Sequence, residues 1–131
     1  MLKSALTILC ALLLLGCSAR PVDPVPLIQI EGLVFENQAQ IWISAVRLLV
    51  PVTGNFVSCG NISPQATCST TFPEVAYTGN PVEITWSQNG QIHSTGQFVL
   101  QLPDDLDEDR PVTVHVVITG PGSAGTVLIQ H

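Results

Sequence analysis

The 131 residues predict an all-β protein, a small antiparallel β-sandwich of seven or eight strands. Three observations carry that expectation. From Leu27 onward, β-branched and aliphatic residues fall in short runs, separated by turn residues about every eight to twelve positions. Several of these runs alternate apolar with polar side chains, the period of a strand with one buried face. No window of about a dozen residues sets apolar side chains at helical spacing between helix caps.

The chain opens on a different pattern. In MLKSALTILCALLLLG, Lys3 precedes an almost wholly apolar run from Ala5 to Leu15. That run is too short to cross a bilayer as a helix and has the length of a signal-peptide core. The stretch Leu14-Leu15-Gly16-Cys17 resembles the lipobox of bacterial lipoproteins. The resemblance implies that residues 1–16 are a signal peptide removed before Cys17. It also implies that the Cys17 thiol is diacylated with chains such as palmitate, and that the new amino group is acylated. Three chains, at about 0.8 kcal/mol per buried methylene, make a stable membrane anchor. Ser18 stands where an Asp would favour inner-membrane retention. The same resemblance therefore implies an outer-membrane protein facing the periplasm, with the inner membrane and the cell surface as the other placements.

Removing residues 1–16 changes the composition. The net charge moves from -6 to -7, because Lys3 is the one lysine and leaves three Arg against ten acidic residues. The apolar share drops from 46% to about 42%, ordinary for a globular domain. So acidic a chain is not expected to bind nucleic acid, which needs clustered Lys and Arg, nor to dock electrostatically on anionic lipid.

Residues 17–26 hold three prolines and no periodic pattern, and read as the lipidated Cys17 followed by a tether. A single domain is expected over 27–131. Its strands are expected at Leu27–Phe35, Ile41–Val50, Phe56–Cys59, Thr67–Phe72, Val82–Ser87, Ile92–Leu102, Val112–Thr119 and Thr126–Gln130. The clearest alternation sets Val112, Val114, Val116 and Ile118 against Thr113, His115, Val117 and Thr119. In the run Ile41–Val50, Trp42 is expected in the core, with an exposed anchor as the alternative.

The segment Val82–Gly90, VEITWSQNG, resembles the Trp strand and following turn of immunoglobulin-like domains. The resemblance implies an immunoglobulin-like or fibronectin-III-like sandwich, and architecture only, because the Cys pair flanking that Trp in the family is absent. The turn raises a conflict of phase. A two-residue turn at Asn89-Gly90 pairs Trp86 with His93, Ile84 with Thr95 and Val82 with Gln97, so an apolar face meets a polar one. Yet Phe98, Leu100 and Leu102 form the apolar set further on. A bulge at Gly96 that switches the phase resolves this.

Few residues are placed for chemistry. With Cys10 in the signal peptide and Cys17 lipidated, Cys59 and Cys68 remain, in a compartment expected to oxidise thiols. Eight intervening residues fit neither a zinc knuckle nor a C-x-x-C redox pair, so a structural disulfide is expected. The loop 103–111 holds Asp104, Asp105, Asp107, Glu108 and Asp109. Asp105, Asp107 and Asp109 alternate like the first three ligands of a calcium loop, but Arg110 stands where an EF-hand needs Gly and Val116 where it needs Glu. A solvated connector is expected, with a calcium or small-ligand site at 104–109 as the alternative. If 92–102 and 111–119 formed a hairpin, His115 would face Phe98, too far from His93 to share a metal ion. His131 is terminal. No nucleophile elbow, free thiol near His or glycine-rich phosphate loop is present. The expectation is therefore no enzyme and no cofactor. It is instead a lipid-anchored envelope protein that binds another envelope protein, with Thr126–Gln130 as a candidate edge for strand addition.

Overall fold

The computed structural model describes residues 28–130. The expected signal peptide 1–16, Cys17, the expected tether to Pro26 and His131 lie outside the described residues. Nine strands form: β1 (Ile28–Asn37), β2 (Ile43–Val50), β3 (Asn55–Ile62), β4 (Thr67–Thr70), β5 (Ala76–Tyr77), β6 (Val82–Gln88), β7 (Gln91–Phe98), β8 (Val112–Gly120) and β9 (Ser123–Gln130). They build two sheets packed face to face, the sandwich expected from the strand pattern. The first sheet runs β4-β1-β8-β9, with β5 also paired to β1, and the second runs β3-β2-β6-β7. All neighbours are antiparallel except β1 and β8, which run parallel over Ile30–Asn37 and Val112–Ile118.

One core lies between the sheets. From the first sheet it takes Leu33, Phe35, Val114, Val116 and Ile118, and from the second Val46, Leu48, Ile84 and Trp86. The alternation read along β8 holds, with Val112, Val114, Val116 and Ile118 fully buried. Asn37, also fully buried, closes one end of the sandwich. Its Nδ2 donates to the carbonyls of Ile41 (2.9 Å) and Ile62 (3.0 Å), while Oδ1 accepts from the Ala39 N–H (2.9 Å). A buried amide is tolerable there because its donors and acceptor are all used.

Three irregularities set the phase of the second sheet, one in β7, one in β2 and one in β3, where the register passes from Val46–Gly60 to Arg47–Ser58 and skips Cys59. Asn89 and Gly90 both have positive φ, as the tight turn between β6 and β7 requires. Pairing runs Trp86 with His93 and Thr85 with Ser94, then shifts to Glu83 with Gln97 and Val82 with Phe98. Gly96, at φ 68°, sits at the shift, which is the bulge that the phase conflict called for. The second bulge, in β2, was not anticipated. Ala45 is left-handed at φ 49°, and the β2–β3 register slips between Ile43 and Val46. Such a conformation costs a non-glycine residue about 1–2 kcal/mol.

That bulge corrects the reading of Trp42. Val46, Leu48 and Val50 point inward, and unbroken alternation would bring 44 and 42 inward as well. The extra residue at Ala45 turns Ile43 inward instead, and Trp42 lies before β2 with 63% of its surface exposed. Three boundaries move by three residues or more, and β5 was not among the expected strands. β3 runs on to Ile62, β9 begins three residues early at Ser123, and β7 ends at Phe98 rather than Leu102. Leu100 is buried although it is outside any strand, and its N–H bonds the Tyr77 hydroxyl at 3.4 Å.

Candidate functional site

The cysteines come together as expected. Cys59 on β3 and Cys68 on β4 form a disulfide with Cα atoms 6.1 Å apart. Because β3 and β4 end their respective sheets, the bond staples one flank of the sandwich shut.

The acidic residues do not converge. Asp104, Asp105, Asp107, Glu108 and Asp109 are all exposed, and only Leu106 turns in against the core. The Asp107 carboxylate accepts from the Asp109 N–H at 3.0 Å, a local turn contact. The Gln130 side chain ties the loop to the end of β9. It accepts from the Asp107 N–H (3.1 Å) and donates to the carbonyls of Asp107 (2.6 Å) and Arg110 (3.0 Å). No group of three or more His, Cys, Asp or Glu able to hold a metal ion occurs among the described residues, so Asp105, Asp107 and Asp109 do not form a ligand set.

The histidines sit elsewhere than a 92–102/111–119 hairpin would place them. β7 and β8 belong to different sheets, so His115 lies between Val34 of β1 and Val127 of β9 rather than opposite Phe98. His93 stacks on the buried Trp86 ring at 5.7 Å between centroids, and the Trp86 Nε1–H donates to Gln88 Oε1 at 3.2 Å. The one tyrosine, Tyr77, packs edge-on against Phe72 and donates its hydroxyl proton to the Asn80 carbonyl at 2.6 Å. Burial raises its pKa above the ordinary 10, the Leu100 N–H contact opposes that, and Glu74 adds to it.

Of the four sheet edges, β9 stands apart. β4 has only four residues, β3 is held by the disulfide, and β7 carries the Gly96 bulge. Short length, tethering and bulges all keep an edge from templating a new strand. Over Ser123–Ile129 β9 has none of these, the tie to the acidic loop being confined to Gln130. It runs eight residues, SAGTVLIQ, without charge or proline, and among the described residues it pairs with β8 alone. Lysine, a common guard of such edges, is missing from the domain. Val127 (55%) and Ile129 (38%) stand exposed on it.

A second feature had escaped the sequence. On the outer face of the β3-β2-β6-β7 sheet lies an open hollow of about 520 Å³. Arg47 stands in its middle, between Ser58 of β3 and Thr85 of β6, with its guanidinium 5.1 Å above the Phe56 ring. Only the interruption of an aliphatic run by Arg47 could have flagged it; the bulged Ala45 that lines the hollow is no glycine and announces nothing.

No family matches this chain, and no curated protein does. Among solved structures, it is similar to an NMR structure of a protein from Eubacterium rectale at a TM-score of 0.49. The two are 10% identical, over 86% of this chain and 97% of that one. None of the described residues forms a helix long and apolar enough to cross a membrane.

Proposed function

We propose that this is a lipid-anchored protein of the bacterial cell envelope, held in the outer membrane through Cys17 and facing the periplasm. On this reading its domain is a non-enzymatic module that docks an extended segment of another envelope protein along β9. The lipobox-like Leu14-Leu15-Gly16-Cys17 supports the anchor. The observation that carries the docking role is the unguarded edge of β9 over Ser123–Ile129. Its outward N–H and C=O groups supply main-chain pairing, and Val127 and Ile129 supply side-chain contacts.

Two measurements test the reading in intact cells. Radiolabelled palmitate should enter the wild-type chain and not Cys17→Ser; equal labelling of both would remove the anchor. A photo-crosslinking side chain at Gly125, where an added Cβ meets nothing within 4 Å, should give one discrete adduct. Val127→Lys should abolish that adduct while shifting Tm by no more than about 4 °C, since exposed substitutions change stability by about 0.5 kcal/mol or less. The same crosslinker at the exposed Ser69 on β4 should give none. Equal adducts from both edges, or an adduct indifferent to Val127→Lys, would sink the β9 assignment.

A further inference from the structure

The hollow on the second sheet has features that neither packing nor the β9 edge requires. Arg47 and Arg110 are the two arginines among the described residues, in a strongly acidic chain. Arg47 nevertheless forms no ion pair with any described residue; its guanidinium rests on Phe56 alone. A guanidinium offers five N–H donors in a fork matched to a carboxylate, and a ring face beneath it leaves that fork free to engage one. Around it the sheet supplies hydroxyls from Ser58, Thr85 and Ser87. Next along the face, the side chains shrink to Ala45 and Gly60, and both residues are left-handed. There the β2–β3 ladder skips from the Ile43–Ile62 pair to the Val46–Gly60 pair, so the backbone between is released from regular pairing. Ile92, 84% exposed on β7, forms the apolar far wall.

We infer that this hollow binds the carboxyl-terminal end of a peptide chain whose last side chain is apolar. The terminal carboxylate lies against the Arg47 guanidinium, and the apolar side chain fills the space over Ala45 and Gly60 towards Ile92. Four strands at about 4.8 Å spacing span roughly 14 Å, the length of some four extended residues. One cation, with Glu83 on the same face opposite Leu49, suits a single carboxylate rather than a run of them.

The probe is the blocked tripeptide acetyl-Ala-Ala-Phe as the free acid, titrated into the isotope-labelled full chain in detergent. Backbone amides of Ser58, Gly60 and Ser87 should shift with the free acid. The C-terminal amide of the same peptide should bind at least ten-fold more weakly. Acetyl-Ala-Asp-Phe-amide, which moves the carboxylate to a side chain, should be equally poor. Arg47→Gln should erase the difference between acid and amide while leaving the spectrum of the free protein folded. Equal binding of acid and amide, shifts confined elsewhere, or no saturable shift with the free acid would overturn the site. Tight binding of the internal-Asp peptide would overturn the terminal assignment. The β9 reading concerns the other sheet, so neither result bears on it.

Discussion

The two flanks of the sandwich are finished by different means, although the same sheets supply both. On one flank, β3 and β4 end their sheets, and Cys59–Cys68 ties them across the gap while Asn37 hydrogen-bonds from the end of β1 to the last residue of β3. On the other, β7 and β9 end the sheets with no covalent link, and only β7 is kinked by a bulge. The stapled flank offers only a four-residue strand and a tethered one, whereas the open flank leaves a regular seven-residue stretch along β9. The difference teaches where stability and recognition are divided. The stapled side restrains the chain, which frees the opposite side to remain an unpaired template without the domain falling open.

The largest test of that division is to cut the staple. Replacing Cys59 and Cys68 together by Ser releases a loop of ten residues, for which the chain-entropy relation gives about 2.7 kcal/mol. The unfolding free energies of the double variant and of the reduced wild type, from denaturant titration, should fall together by that amount, with the β9 adduct preserved while the domain stays folded. A loss below about 1 kcal/mol would mean that the flank is closed by packing and Asn37, and the contrast between the flanks would shrink to one of shape.

How far the molecule could be read from its sequence follows the range of the interactions involved. The buried face of β8 was plain because strand alternation is local, and the Gly96 bulge was plain because the phases of two strands joined by a tight turn cannot otherwise agree. The disulfide followed from elimination among four cysteines. The parallel partnership of β1 and β8 was not legible, since nothing in either strand names its neighbour across some eighty residues. Trp42 was misplaced for a related reason. An alanine at φ 49° is held left-handed by tertiary context, not by local preference, and it reverses the phase of everything before it. The candidate hollow shared that fate because its lining comes from four strands and includes the bulged Ala45, while the acidic loop drew notice by charge alone and brings no three ligands together.

The open flank has its own, smaller test. Gly96 is left-handed at φ 68° with nothing within 4 Å of an added Cβ, so Gly96→Ala should cost about 1 kcal/mol through backbone strain and not through a clash. Gly125 lies on the neighbouring edge without a positive φ, and Gly125→Ala should be neutral or slightly stabilising. Equal costs at the two glycines, measured by urea unfolding, would show that the β7 bulge is not held by glycine. The protection of β7 would then rest on something other than its kink.

The smallest effect concerns the strap that joins the flanks, where Tyr77 follows β4 and meets Leu100 beyond β7. Burial holds its folded pKa above 10, so the folded protein retains the phenolic proton at a pH where the unfolded chain has released it. The stabilisation is therefore complete below pH 10 and is lost as pH rises through the folded value. The window is clean, because Tyr77 is the one tyrosine, Lys3 the one lysine, and Cys59 and Cys68 are bonded to each other. The urea midpoint should hold steady as pH approaches 10 and decline above it, and Tyr77→Phe should flatten that decline while lowering the plateau through the lost contact to Asn80. A wild-type midpoint that stayed level to pH 11.5 would place the hydroxyl in contact with solvent and leave the strap held by the Phe72–Tyr77 ring contact alone.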